Sequence, residues 1–117
     1  MKFEIPGRLP GLNEIIDAAK DHFGAYARMK DEHTTMVAWL AKKLPRYKRV
    51  NITITWYEPN GKRDPDNIMA GQKFILDGLV MAGVIPNDTR KHINSIKHIP
   101  EIDRVNPRVE VELEEVE

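Results

Sequence analysis

The sequence predicts a single α/β domain of the α+β kind, a mixed β-sheet with helices packed mainly on one face. Residues 50–58 alternate strictly between apolar and polar side chains, and two longer segments carry apolar residues at helical spacing. Turn signals punctuate the chain, without internal repeats or a low-complexity linker. A chain of 117 residues holds one such domain, here residues 1–117. At this size folding buries roughly two-thirds of the unfolded surface, enough for one core without staples.

Taken in order, residues 2–5 form a short strand closed by Pro6-Gly7. After the turn signal Pro10-Gly11, Asn13 is the expected N-cap of a helix carrying Ile15, Ile16, Ala19 and Phe23, which Gly24 breaks. The helical pattern resumes from Ala25 to Leu44, with Tyr26, Met29, His33, Met36, Val37 and Leu40 along one side, and Pro45 stops it. Val50, Ile52, Ile54 and Trp56 then alternate with Asn51, Thr53, Thr55 and Tyr57, the clearest strand in the chain. The loop Pro59-Asn60-Gly61 and the run Asp64-Pro65-Asp66-Asn67 lead into a helix over 67–82, ended near Gly83. Its apolar face is Ile68, Phe74, Ile75, Leu76, Leu79 and Val80. Pro86-Asn87-Asp88 is a turn, and residues 91–99 read as an irregular strand with a bulge between Ile93 and Ile96. Finally Val109, Val111 and Leu113 alternate with Arg108, Glu110, Glu112 and Glu114, a strand with one wet, acidic face. The predicted order is β-α-α-β-α-β-β.

The absence of cysteine removes disulfides, zinc–thiolate sites and thiol nucleophiles, and suits a reducing compartment. No apolar run is long enough to span a bilayer, and Met1 to Pro6 is too short and charged for a secretory signal. The expected location is therefore cytoplasmic, with no membrane partner. The formal net charge of zero hides an asymmetry. Lys42, Lys43, Arg46, Lys48 and Arg49 cluster in the middle, followed by Lys62, Arg63, Arg90 and Lys91, whereas acids crowd residues 101–117. Because the local field decides phosphate binding, this composition permits a nucleic-acid partner without requiring one.

The stretch most charged with chemistry runs from Lys62 to Lys91. Asp64 and Asp66 stand two apart at a helix start, about 6–7 Å between Cα atoms on an extended segment. Two carboxylates so spaced suit magnesium, which takes one or two of them and keeps water for its other positions. Asp88 joins them if the Pro86-Asn87-Asp88 turn folds back along the sheet. On a helix, Asp66, Ala70, Lys73 and Asp77 fall on one stripe, so Lys73 is expected on the side of the acids, where a cation can face a phosphate. The same residues also fit an ordinary reading, in which Asp64 and Asp66 make caps and Asx-turns and Lys73 pairs with Asp77 on the surface. An EF-hand is excluded, since its sixth and twelfth positions counted from Asp64 are Met69 and Ile75. A phosphatase-type aspartate nucleophile is excluded as well, because Asp64 lies several polar residues beyond the apolar strand.

The run Arg63-Asp64-Pro65-Asp66-Asn67, then Lys73, Asp77-Gly78-Leu79, Ala82-Gly83-Val84-Ile85 and Asn87-Asp88, resembles the RusA family of Holliday junction resolvases. The likeness covers about 26 residues in order, with weaker echoes at Ile5-Pro6-Gly7 and Asn13. The interval from Asp66 to Lys73 is one helical turn longer than in the family pattern, with Ala70 at the ungapped lysine position; a full turn keeps Lys73 on the same face. Gly78 stands for the usual alanine, and Asn87 for the first acid of the closing pair. The resemblance implies a magnesium-dependent endodeoxyribonuclease, with manganese as the alternative ion, that nicks four-way junctions symmetrically as a homodimer in recombination and repair. Asp64, Asp66 and Asp88 are then the catalytic metal carboxylates and Lys73 the phosphate-facing cation, with Asn67 and Asp77 in support. A junction has near two-fold symmetry, which two sites related by a dyad match.

Branched DNA is thus the expected partner, with Lys42, Lys43, Arg46, Lys48, Lys62, Arg63, Arg90 and Lys91 as candidate phosphate contacts. Cations at the end of the second helix also suit its dipole. Trp39 and Tyr57 are candidates for stacking on exposed bases, whereas Trp56 falls on the core parity of its strand. His22, His33, His92 and His98 have no metal-ligand spacing and read as surface or packing residues. Two other functions fit the same residues, a non-catalytic branched-DNA-binding module and a less specific flap or duplex nuclease.

Overall fold

The computed structural model describes every residue except His22, so that histidine's assignment lies outside the described residues. The elements follow the predicted order: β1 (Lys2–Pro6), α1 (Leu12–Ala19), α2 (Ala25–Ala41), β2 (Val50–Glu58), α3 (Pro65–Met69), α4 (Gln72–Met81), β3 (Ile93–Ile102) and β4 (Arg108–Glu115). The helix expected over 67–82 is broken in two around Ala70-Gly71. The N-cap of α1 is Gly11 rather than Asn13, and the Glu14 carboxylate accepts the Gly11 N–H at 3.2 Å.

The four strands form one mixed sheet in the order β1-β4-β2-β3, with β4 antiparallel to both neighbours and β2 parallel to β3. The parallel pair follows from the crossover, since α3 and α4 carry the chain back to the end where β2 began. The register shifts between Val50 and Asn51, which pair with Ile93 and Ser95, so Asn94 is the extra residue of the expected bulge.

Period-two patterning decides which face the helices cover. Ile5, Ile52, Ile54, Trp56, Val109, Val111 and Leu113 are buried beneath the helices. Asn51, Thr53, Thr55, Tyr57, Glu110 and Glu112 stand on the other face, which no helix covers. On that open face Arg108 binds Asp103 and Glu110, each at 2.8 Å, and its guanidinium lies 3.8 Å over the Tyr57 ring. The Asn106 backbone N–H, with Arg108, holds the Asp103 carboxyl below its usual range, and Arg108 does the same for Glu110. Tyr57 is therefore committed to Arg108.

Helix α2 crosses α4 at Gly78, whose Cβ, if present, would overlap Val37 and press on the Ala38 backbone. The close approach requires glycine. Phe74, Ile75 and Leu79 from α4, with Val84 and Ile85 after it, complete the core.

Candidate metal centre and nucleic-acid interface

The Asp64-Pro65-Asp66 segment hangs from a buried ion pair. Glu58 ends β2 on the core parity and is only 4 % exposed, so its charge demands a cation inside the fold. Arg63 supplies it through two parallel bonds, Nε to Oε1 and Nη2 to Oε2, both 2.8 Å. Its remaining nitrogen donates to the Leu9 carbonyl at 3.2 Å and stands 3.5 Å from Glu14. Asn67 adds a second tie by accepting the Asn13 N–H at 3.2 Å. Asp64 is the extended N-cap of α3, its carbonyl accepting the Ile68 N–H at 3.1 Å, and Pro65 fixes the first helical position. The side chains of Asp64 and Asp66 remain exposed. A loop pinned by backbone and buried charge thus presents two carboxylates to solvent.

Lys73 is on the first turn of α4, and its Nζ lies 3.6 Å from Asp77 Oδ2. That oxygen is buried and makes no hydrogen bond, as is the Thr34 hydroxyl on α2. Both line a groove of about 430 Å³ with Lys30, Met81 and Asn87, and Asp88 stands in it. The returning chain is anchored there by bonds from Val84 N to the Leu79 carbonyl and from Tyr47 N to the Val84 carbonyl, at 3.0 and 2.8 Å. Asp88 therefore faces the middle of α4, beside Asp77. Asp77 and Asp66 stand on opposite sides of the break between α3 and α4. Among the described residues, no three Asp, Glu, His or Cys side chains converge on one point. The expected fold-back of the turn beside Asp64 and Asp66 does not occur within this chain, because Val84 and Ile85 are drawn into the core first.

The donor set nonetheless suits a hard divalent ion. Asp64 and Asp66 offer exposed carboxylate oxygens on one short segment, with no thiolate to favour a softer metal.

The basic residues divide between the two ends of β2, roughly 27 Å apart by strand rise. Lys42, Lys43, Arg46, Lys48, Arg90 and Lys91 are exposed at the end where β2 begins. His92 Nδ1 donates to the Lys48 carbonyl at 2.8 Å and joins the two basic segments there. Lys62 lies at the other end, exposed beside the acidic loop. Arg63, expected among the phosphate contacts, turns its guanidinium inward to Glu58 and the Leu9 carbonyl. Trp39 is 67 % exposed, with Lys42 Nζ 3.2 Å over its ring, and Trp56 is core.

The chain matches no protein-family model and no curated protein sequence. No helix among the described residues is long and apolar enough to cross a membrane.

Sequence reasoning missed two structural contributors to the site. Glu58 was detectable, since a carboxylate at the last core position of an alternating strand implies a buried partner. The contact of His98 Nε2 with Gln72 Oε1, at 2.8 Å, was not, because it joins β3 to α4 across the fold. His33 is half-buried, its ring 5.5 Å from that of Phe74.

Proposed function

We propose that this protein is a magnesium-dependent endodeoxyribonuclease that resolves branched DNA, four-way junctions above all, as a homodimer in the manner implied by its resemblance to RusA-type resolvases. The observation that carries this reading is the exposed Asp64–Asp66 pair on a segment fixed by the buried Arg63–Glu58 ion pair. A surface loop with only a structural role has no need of such an anchor, whereas carboxylates that must hold an ion in one place do.

In this mechanism Asp64 and Asp66 would hold the ion, and manganese could replace magnesium. When bound, it supplies Lewis-acid activation of the scissile phosphodiester. Arg63 and Glu58 keep the loop from moving as a phosphate arrives. Asp77 pairs with Lys73 at 3.6 Å, and in this reading the Lys73 ammonium neutralises charge that grows on the phosphate. Lys42, Lys43, Arg46, Lys48, Arg90 and Lys91 meet the backbone of an arm about eight base-pair steps away, at 3.4 Å per step.

The separation of Asp88 from the pair favours a second reading, a branched-DNA-binding module whose acids are structural. A panel of four-way junction, flap and linear duplex, incubated with and without magnesium, decides between them. The proposal expects metal-dependent cutting of the junction in preference to duplex. Binding without cutting supports the module, and equal cutting of all three indicates an unspecific nuclease.

A further inference from the structure

The break between α3 and α4 separates Asp66 from Lys73, so whatever fixes its geometry fixes the two groups relative to each other. Gly71, at the break, lies under the Trp56 indole: a Cβ there would stand 3.1 Å from two atoms of that ring and from Leu9 Cβ. Trp56 is in turn held by His98 on β3, its Nε1–H donating to His98 Nδ1 at 3.0 Å with the rings nearly parallel at 13°. The other ring nitrogen, Nε2, lies 2.8 Å from Gln72 Oε1. Gln72 opens α4 and immediately precedes Lys73.

These contacts leave one protonation state. The indole can only donate and the amide oxygen can only accept, so His98 accepts at Nδ1 and carries its proton on Nε2. The neutral imidazole thus couples the sheet, through Trp56, to the first residue of α4. An imidazolium would place a second hydrogen between Nδ1 and the indole N–H and break the chain at that bond. The charged side chains on the elements packed against it are otherwise engaged: Lys73 and Asp77 on α4 pair at 3.6 Å, and Glu58 on β2 is bound by Arg63. Burial alone lowers the His98 pKa below its ordinary value of 6.5.

We propose that His98 is a positioning residue for the nuclease site, which in its neutral Nε2–H form links Trp56 to Gln72 and so sets Lys73 relative to Asp64 and Asp66. The role rests on the nuclease reading above. His98 touches no substrate; it acts through the orientation of α4.

The test has a structural and a kinetic arm. Long-range ¹H–¹⁵N spectra of the full protein are expected to show His98 with a bare Nδ1, a protonated Nε2 and a titration below 6.5. A proton on Nδ1 at neutral pH, or titration above 6.5, overturns the inference whether or not the protein cuts DNA. Kinetically, His98→Phe removes both bonds and is expected to lower kcat on a four-way junction on the order of tenfold to a hundredfold, with little change in KM. His98→Gln, which can accept with its oxygen and donate with its nitrogen, is expected to restore most of the rate and to abolish the acid limb of the wild-type pH profile. If wild type cuts and His98→Phe, still folded by its melting curve, keeps the wild-type rate and profile, the positioning role alone falls. Should His98→Phe fail to fold, retention of the acid limb by His98→Gln overturns it instead. A wild-type protein that cuts nothing removes the nuclease reading and this role together.

Discussion

Replacing Arg63 by methionine separates structure from DNA binding more cleanly than any other single change. Both partners of the Arg63–Glu58 pair are buried, with side chains 11 % and 5 % exposed and two bonds of 2.8 Å between them. Removing one member of such a pair strands the other charge inside, at a cost of about 3–5 kcal/mol. Arg8 stands 3.5 Å from Glu58 but is 43 % exposed, so its compensation is screened and the lower figure, about 3 kcal/mol, is the better expectation. At roughly 4 °C per kcal/mol, Arg63→Met should melt about 12 °C below wild type. Urea unfolding followed by tryptophan fluorescence reads the same loss, and Glu58→Gln added to Arg63→Met should recover part of it. DNA affinity supplies the opposite control. A phosphate contact contributes about 0.9 to the slope of log K against log salt, and Arg63→Met should leave that slope unchanged while Lys62→Met lowers it. A stable Arg63→Met with a reduced slope would refute the reasoning and return Arg63 to the DNA interface.

Other consequences follow from the same geometry. Gly78→Ala should destabilise by about 1–3 kcal/mol despite alanine's better helix propensity, because its methyl meets Val37; adding Val37→Ala should recover only part of the loss, since Cβ of residue 37 stays in the way, as thermal melts will show. Lys73→Met should lower junction cleavage by about 10²-fold while binding persists, and Lys73→Arg should retain more of the rate. Since burial lowers the His98 pKa, its contribution to stability is complete above the unfolded value of about 6.5 and is lost as pH falls through the lower folded value. Denaturant midpoints between pH 7.5 and 5 should decline for wild type and decline less for His98→Gln. An ion shared by Asp64, Asp66 and Asp88 requires carboxylates from different protomers, since the three do not converge on one point within this chain. Mixing Asp66→Asn and Asp88→Asn proteins should then restore cleavage through hybrid dimers carrying one intact site; no restoration means Asp88 serves no ion with Asp66.

The fold was legible because its elements announce themselves locally. The alternation over 50–58 gave β2 its register and its buried face, and the acidic alternation from Arg108 marked β4 as a strand with one wet side. Two details escaped for physical reasons. Propensity saw no break in the third helix, since Gly71 looks like a tolerated interior glycine until Trp56 is placed against it. Asn13 has the chemistry of an N-cap, yet Gly11 takes that position, where Glu14 accepts its N–H and Asn67 and Arg63 leave no room for a side chain. At the site, the exposure of Asp64 and Asp66 and the pairing of Lys73 with Asp77 could be read from spacing. The inward turn of Arg63 and the placement of Asp88 beside Asp77 could not, because both depend on how distant segments compete for the core.

The central claim is that Asp64 and Asp66 hold a catalytic ion. Its most direct measurement compares wild type and Asp66→Asn on one end-labelled four-way junction in magnesium, recording binding on a native gel and products on a denaturing one. The account predicts paired, symmetric nicks by wild type. For Asp66→Asn it predicts equal or tighter binding with cleavage abolished, since losing a carboxylate lessens repulsion of the phosphate. Equal cleavage by the two proteins would contradict it and return the acidic loop to a structural role.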